Sequence, residues 1–103
     1  LDSIDNITLP IKKKWAKQAY HLFVIRTNMR DELKNYLSEK GIHTGVHYPI
    51  SLPKLKAYSY SNQANELMFA NSLGVSLLSL PIGEHLSKED VEKVILAIKQ
   101  FFE

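Results

Sequence analysis

The stretch His21-Leu22-Phe23-Val24-Ile25-Arg26-Thr27, running on through Asn28-Met29-Arg30-Asp31-Glu32-Leu33-Lys34-Asn35-Tyr36-Leu37 to Gly41-Ile42, decides the fold. Leu22 to Ile25 form a short apolar, partly β-branched run, the pattern of a strand buried on both faces. Asn28 is of the residue type that caps a helix, Asp31 falls in the first turn, and Leu33, Tyr36 and Leu37 share one stripe. Gly41 supplies a left-handed stop, which Ile42 closes by packing back on the last turn. The opening unit is therefore a strand that feeds directly into a helix.

Downstream, Thr44 to Tyr48 reads as a second strand, ended by Pro49, which has no N–H to give to a ladder. The loop through Ser51, Pro53 and Tyr58 shows no periodicity. A helix from about Asn62 to Leu73 would place Ala64, Leu67, Met68 and Asn71 on neighbouring turns and end at Gly74. Val75 to Leu80 then reads as a third strand, stopped by Pro81. In the last helix Ser87 and Asp90 stand three apart as a capping pair, ahead of Val91, Val94, Ile95, Ile98, Phe101 and Phe102 at amphipathic spacing. The order β-α-β-α-β-α predicts an α+β fold, a small three-stranded sheet with helices packed on it. Upstream, Leu1 to Pro10 reads as a connector, and Lys12, Lys13 and Lys14 as a solvated face.

The 103 residues fit one domain, and a 45% apolar, 23% charged composition is that of a soluble globular chain. No apolar run approaches the ~20 residues of a bilayer span, so no membrane partner is expected. A net charge of +2, spread along the chain, lacks the concentrated basic face of a nucleic-acid binder. The absence of cysteine rules out disulfides and thiolate metal sites and suits a cytoplasmic location. A first residue Leu1, with neither an initiator methionine nor a leader pattern, reads as the start of a fragment.

His21, His43, His47 and His85 are the side chains that titrate nearest neutrality. His43 and His47 look like a metal pair, but four residues along a strand span roughly 13 Å, too far for one ion. His47 and Tyr48 end a strand at Pro49, which presents polar rings at a sheet edge, where ligands are met. Spacing alone leaves it equally open that they only satisfy hydrogen bonds to the following loop. No nucleophile elbow, phosphate loop or dinucleotide fingerprint occurs, and no catalytic residue is expected in this chain.

The segment Gly41-Ile42-His43-Thr44-Gly45-Val46-His47-Tyr48-Pro49 resembles the G-I-x-T-x-x-H-Y-P signature of the DegT/DnrJ/StrS family of sugar aminotransferases. Three further landmarks follow the family order: His21 to Ile25 as its first small-domain strand, Arg30 to Leu33 as its R-x-x-L helix start, and Ser79-Leu80-Pro81 as its S-L-P strand end. The resemblance implies the small domain, residues 15–103, of a fold-type I aminotransferase, with residues 1–14 leading in from a large domain. It implies pyridoxal 5'-phosphate held by a large-domain lysine, an amino-acid donor, typically glutamate, and a keto sugar linked to a nucleotide as acceptor. It implies a cytoplasmic homodimer in surface-polysaccharide or related sugar biosynthesis, and a fragment that is inactive by itself.

The same resemblance makes His47, Tyr48 and Tyr58 substrate-binding residues, and Lys54 joins them where the sequence departs from the family pattern. After H-Y-P the family continues P-x-H-x-Q-x-A-Y, whereas here Ser51, Pro53 and Leu55 stand in the proline, histidine and glutamine places. Ala57 and Tyr58 are retained, and Lys54 or Lys56 would meet the substrate's phosphates instead. The competing readings are a stand-alone small-molecule-binding domain and an assembly module. Ferredoxin-like domains place a hairpin between their helices, which the segment Gly41 to Gly74 lacks.

Overall fold

The computed structural model describes residues 1–103. Strand β1, Phe23–Arg26, lies antiparallel to β2, Leu77–Leu80, with Phe23 opposite Leu80 and Ile25 opposite Leu78. Helix α1 is Arg30–Glu39, α2 is Phe69–Leu73 and α3 is Lys88–Phe102, and two 3-10 turns, Leu52–Lys54 and Lys56–Ser61, lie between α1 and α2. The α+β class is as the periodicities indicate, but the sheet has two strands.

The expected middle strand survives as one pair. Gly45 N–H donates to the Ser79 carbonyl at 2.9 Å and Ser79 N–H returns a bond to Gly45 at 2.7 Å. Pairing stops there because Tyr48 turns into the left-handed region at φ 56° and Pro49 brings no donor. A second single pair flanks β1 on its other side. Thr8 and Arg26 exchange backbone bonds of 2.9 and 3.0 Å, so the opening segment joins the ladder and Ile7 is buried.

Side chains alternate across the sheet, which gives it two unlike faces. Phe23, Ile25, Leu78 and Leu80 share the front face with Leu33 and Leu37 of α1 and Ala97 and Ile98 of α3 in one apolar cluster. Ile25, Leu33, Leu37, Leu78 and Ile98 are fully buried, each stabilising by about 1.5–3 kcal/mol from burial alone. Val24, Arg26, Leu77 and Ser79 alternate onto the back face. β1 is thus not covered on both sides by this chain. Its apolar run is the pattern of a doubly buried strand, but only Ile25 within it is buried.

The helix ends follow the sequence at two of four expected points. Gly41 takes φ 72°, Gly41 N–H donates to Ser38 at 2.9 Å and Ile42 N–H to Leu37 at 2.8 Å, a complete left-handed stop with Ile42 buried against Leu37. Ser87 and Asp90 form the reciprocal capping box of α3. Asn28, however, is not the cap of α1: the cap position is Met29, and Thr27 Oγ1 accepts from its N–H at 3.2 Å. Gly74 does not take the left-handed conformation expected of a stop, having φ −54°.

Candidate functional site

The H-Y-P turn is built on the back of the sheet. Gly45 is pinned to Ser79, and two residues on the His47 ring folds over it, with Nδ1 2.8 Å from Ser79 Oγ. Ser79 is thereby held by backbone from Gly45 and by side chain from His47, which leaves it buried while the histidine remains exposed. Glycine at 45 leaves room for the ring to fold there. A Cβ there would lie 2.6 Å from the His47 ring carbon Cε1.

Tyr48 follows at φ 56°, a conformation that costs a bulky residue of order 1 kcal/mol or more, and its side chain is 84% exposed. An aromatic side chain held out by a strained backbone gains nothing from this chain's own core. Pro49 then runs against α2. Its carbonyl oxygen lies 2.8 Å from where a Cβ on Gly74 would stand, so Gly74 provides space for close backbone approach.

Asn71, on α2, holds the rest of the loop. Its Oδ1 accepts from Ser51 Oγ, its Nδ2 donates to the carbonyls of Gln63 at 3.2 Å and Glu66 at 3.1 Å, and its own carbonyl accepts from Lys54 Nζ at 3.0 Å. These bonds explain why the helix expected from Asn62 shrinks to Phe69–Leu73. Carbonyls that would have served backbone donors one turn on are taken by the Asn71 amide, and Asn62 sits at φ 57°. The Arg26 guanidinium, 5.6 Å over the Phe69 ring, ties the start of α2 to the back of β1.

The four residues expected at the site do not converge. Tyr48 lines an apolar groove of about 650 Å³ between Pro49–Leu55 and Ala70–Leu77. His47 stays at the sheet edge on Ser79, Lys54 reaches α2, and Tyr58 stacks on Tyr60 at 6.2 Å. Sequence reading missed Asn71, Gly74 and the Ser79 partner of His47. Asn71 carried a signal only as an amide on an otherwise apolar stripe, and the spacing Gly45-x-His47 was the sole hint of a ring folded over a glycine.

Every lysine of the chain is exposed, and none is enclosed as a cofactor-bearing lysine needs to be. The residues present do not fit the seat of pyridoxal phosphate. No helix is long and apolar enough to cross a membrane.

Residues 1–99 match the model of the DegT/DnrJ/EryC1/StrS aminotransferase family. The chain belongs to this family. It is similar to the dTDP-3-amino-3,4,6-trideoxy-alpha-D-glucose transaminase of Streptomyces venezuelae, 36% identical over all of this chain and 27% of that protein. It is similar also to the dTDP-3-amino-3,6-dideoxy-alpha-D-galactopyranose transaminase of Aneurinibacillus thermoaerophilus, 36% identical over 98% of this chain and 28% of the relative. Among solved structures, S. venezuelae DesV in complex with a ketimine intermediate superposes with a TM-score of 0.89 at 32% identity, over 98% of this chain and 28% of that one. This family member spans about a quarter of the length of the aminotransferases it matches.

Proposed function

We propose that residues 15–103 are the carboxy-terminal small domain of a pyridoxal-phosphate-dependent aminotransferase, with residues 1–14 leading in from its large domain. The intact enzyme passes an amino group from an amino acid, glutamate being the expected donor, to a keto group on a nucleotide-linked sugar. It does so as a cytoplasmic homodimer in polysaccharide or related sugar biosynthesis. The cofactor supplies the electron sink for this transfer and is carried by the large domain.

The observation that carries this reading is the H-Y-P turn. His47 is fixed by Ser79, and Tyr48 is turned outward at φ 56° with its ring in solvent, so the strain is repaid only by something outside this chain. His47 keeps Nε2 free of Ser79 to meet a sugar hydroxyl, and Tyr48 offers a ring face and a hydroxyl. Lys54 spends one of its three N–H donors on Asn71 and stays exposed, which leaves two for a phosphate oxygen. Tyr58, on the following 3-10 turn, is proposed as a further contact to the sugar nucleotide.

The test is steady-state kinetics of the intact enzyme. Tyr48→Phe and His47→Ala are expected to raise KM for the nucleotide sugar roughly tenfold or more, the worth of one good polar contact, with the half-reaction on the amino-acid donor unaltered. An unchanged KM for both variants would sink the assignment of this turn to the acceptor site.

A further inference from the structure

Ser79 is 4% exposed, and each of its polar groups has one partner. Its N–H donates to the Gly45 carbonyl at 2.7 Å and its carbonyl accepts from Gly45 N–H at 2.9 Å. Its hydroxyl bonds a single atom, His47 Nδ1 at 2.8 Å. A hydroxyl has one hydrogen to give, and a buried one that gives it to nothing is costly. If Nδ1–H donated to Oγ, the ring would be satisfied but the serine's own hydrogen would be stranded in a site closed to water. The hydroxyl therefore donates and Nδ1 accepts. A neutral imidazole carries one N–H and one bare nitrogen, so the ring proton of His47 then sits on Nε2.

The ring is also held against turning over. Its Cε1 lies 2.6 Å and its Nδ1 3.0 Å from the point where a Cβ on Gly45 would stand. A half-turn of the ring would bring a carbon to the hydroxyl in place of Nδ1 and break the same bond. Nε2 bonds nothing in this chain and belongs to an exposed side chain, beside the single Gly45–Ser79 pair at the sheet edge.

We infer that Ser79 is the positioning residue of the H-Y-P turn. By donating to Nδ1 it fixes His47 as the Nε2–H tautomer, so that the sheet edge presents a hydrogen-bond donor in one orientation. The group such a donor meets is an oxygen with a free lone pair, and a group that only donates, such as an ammonium, is refused. On the aminotransferase reading above, from which the identity of the ligand comes, that oxygen is a sugar hydroxyl of the nucleotide-linked acceptor. It accepts from His47 and keeps its own hydrogen for another partner.

The tautomer is read by nitrogen NMR of the 103-residue chain, which carries its own buried core, labelled in its histidines and held at about pH 8, above the ordinary imidazole range. His47→Gln identifies the signals. The expected result is one tautomer, with the proton on Nε2 and Nδ1 shifted as a hydrogen-bonded acceptor. In Ser79→Ala the two ring nitrogens should move toward the average of both tautomers, while the β1 and β2 amides exchange as in the parent. A proton on Nδ1 in the parent chain, or nitrogen signals that Ser79→Ala leaves in place, overturns the inference.

In the whole enzyme, Ser79→Ala should raise KM for the nucleotide sugar roughly three- to tenfold at unchanged kcat, the worth of one neutral hydrogen bond. Ser79→Thr keeps the hydroxyl and should restore the parent KM. An unmoved KM in Ser79→Ala beside a raised one in His47→Ala overturns the positioning role. So does a KM raised equally by Thr and Ala at position 79 with amide exchange unaltered in both. If His47→Ala itself leaves KM unchanged, the acceptor-site reading fails, and the nitrogen signals still decide the tautomer.

Discussion

The front face of the sheet and the segment beside its back both carry apolar residues and have opposite fates. On the front, Ile25 and Leu78 meet Leu33, Leu37 and Ile98 and all five are fully buried. On the back, from Tyr48 to Val75, no residue is buried, although the segment contains Ile50, Leu52, Leu55, Leu67, Phe69 and Leu73. The front is held by apolar contact between regular elements. The back is held by polar side-chain bonds and one tight backbone approach, which fix a shape but contribute little burial. The front should therefore open only with global unfolding, and the back by local fluctuation.

Removing a front-face anchor should break the comparison most severely. Leu78→Ala is expected to cost about 2–5 kcal/mol in a urea melt, because its neighbours in the cluster cannot collapse into the cavity, whereas Leu52→Ala in the same chain should stay within about 0.5 kcal/mol. Gly74→Ala comes next. Its Cβ would press on the Pro49 carbonyl, and a cost of about 1–3 kcal/mol should appear as faster exchange at residues 49–55 with the front unaffected. Asn71→Ala should loosen the 51–66 turns by about 1 kcal/mol, read by proteolytic cutting there. Ser87→Ala, on the front side, removes the cap of α3 and should lower global stability by about 1 kcal/mol in the urea melt.

The smallest effect is one of pH. The bonds from the Ser87 hydroxyl and Ser87 N–H hold the Asp90 carboxyl below its ordinary value of 3.8. A carboxyl whose folded pKa is depressed stabilises the fold above the unfolded value and loses that contribution as pH falls through the folded one. Stability measured between pH 5 and 2 should thus fall less steeply in Ser87→Ala than in the parent chain. Equal slopes would mean that the cap carries no charge-linked stability.

Much of the front was legible in sequence because it depends on local rules. Gly41 and Ile42 close α1 through bonds to residues three and five back, and Ser87 and Asp90 cap α3 across three residues. The back was not legible, since its order comes from partners far apart in sequence. His47 and Ser79 are separated by 32 residues and Ser51 and Asn71 by 20, and no short-range pattern encodes either pair. The helix expected from Asn62 failed for that reason, as a side-chain amide at Asn71 outbid the local preference for backbone bonds.

By itself, the sequence determined the α+β class, the strand entering α1, the ends of α1 and α3, and the family signature from Gly41 to Pro49. Tertiary structure alone decided that the sheet has two strands with single pairs at each side, and that Gly74 serves close approach. It also decided that Tyr48 is turned outward from a back face left apolar and open. The physical division is one of range: caps and periodicity act within a turn or a strand, whereas register, space and exposure are set only when distant segments meet.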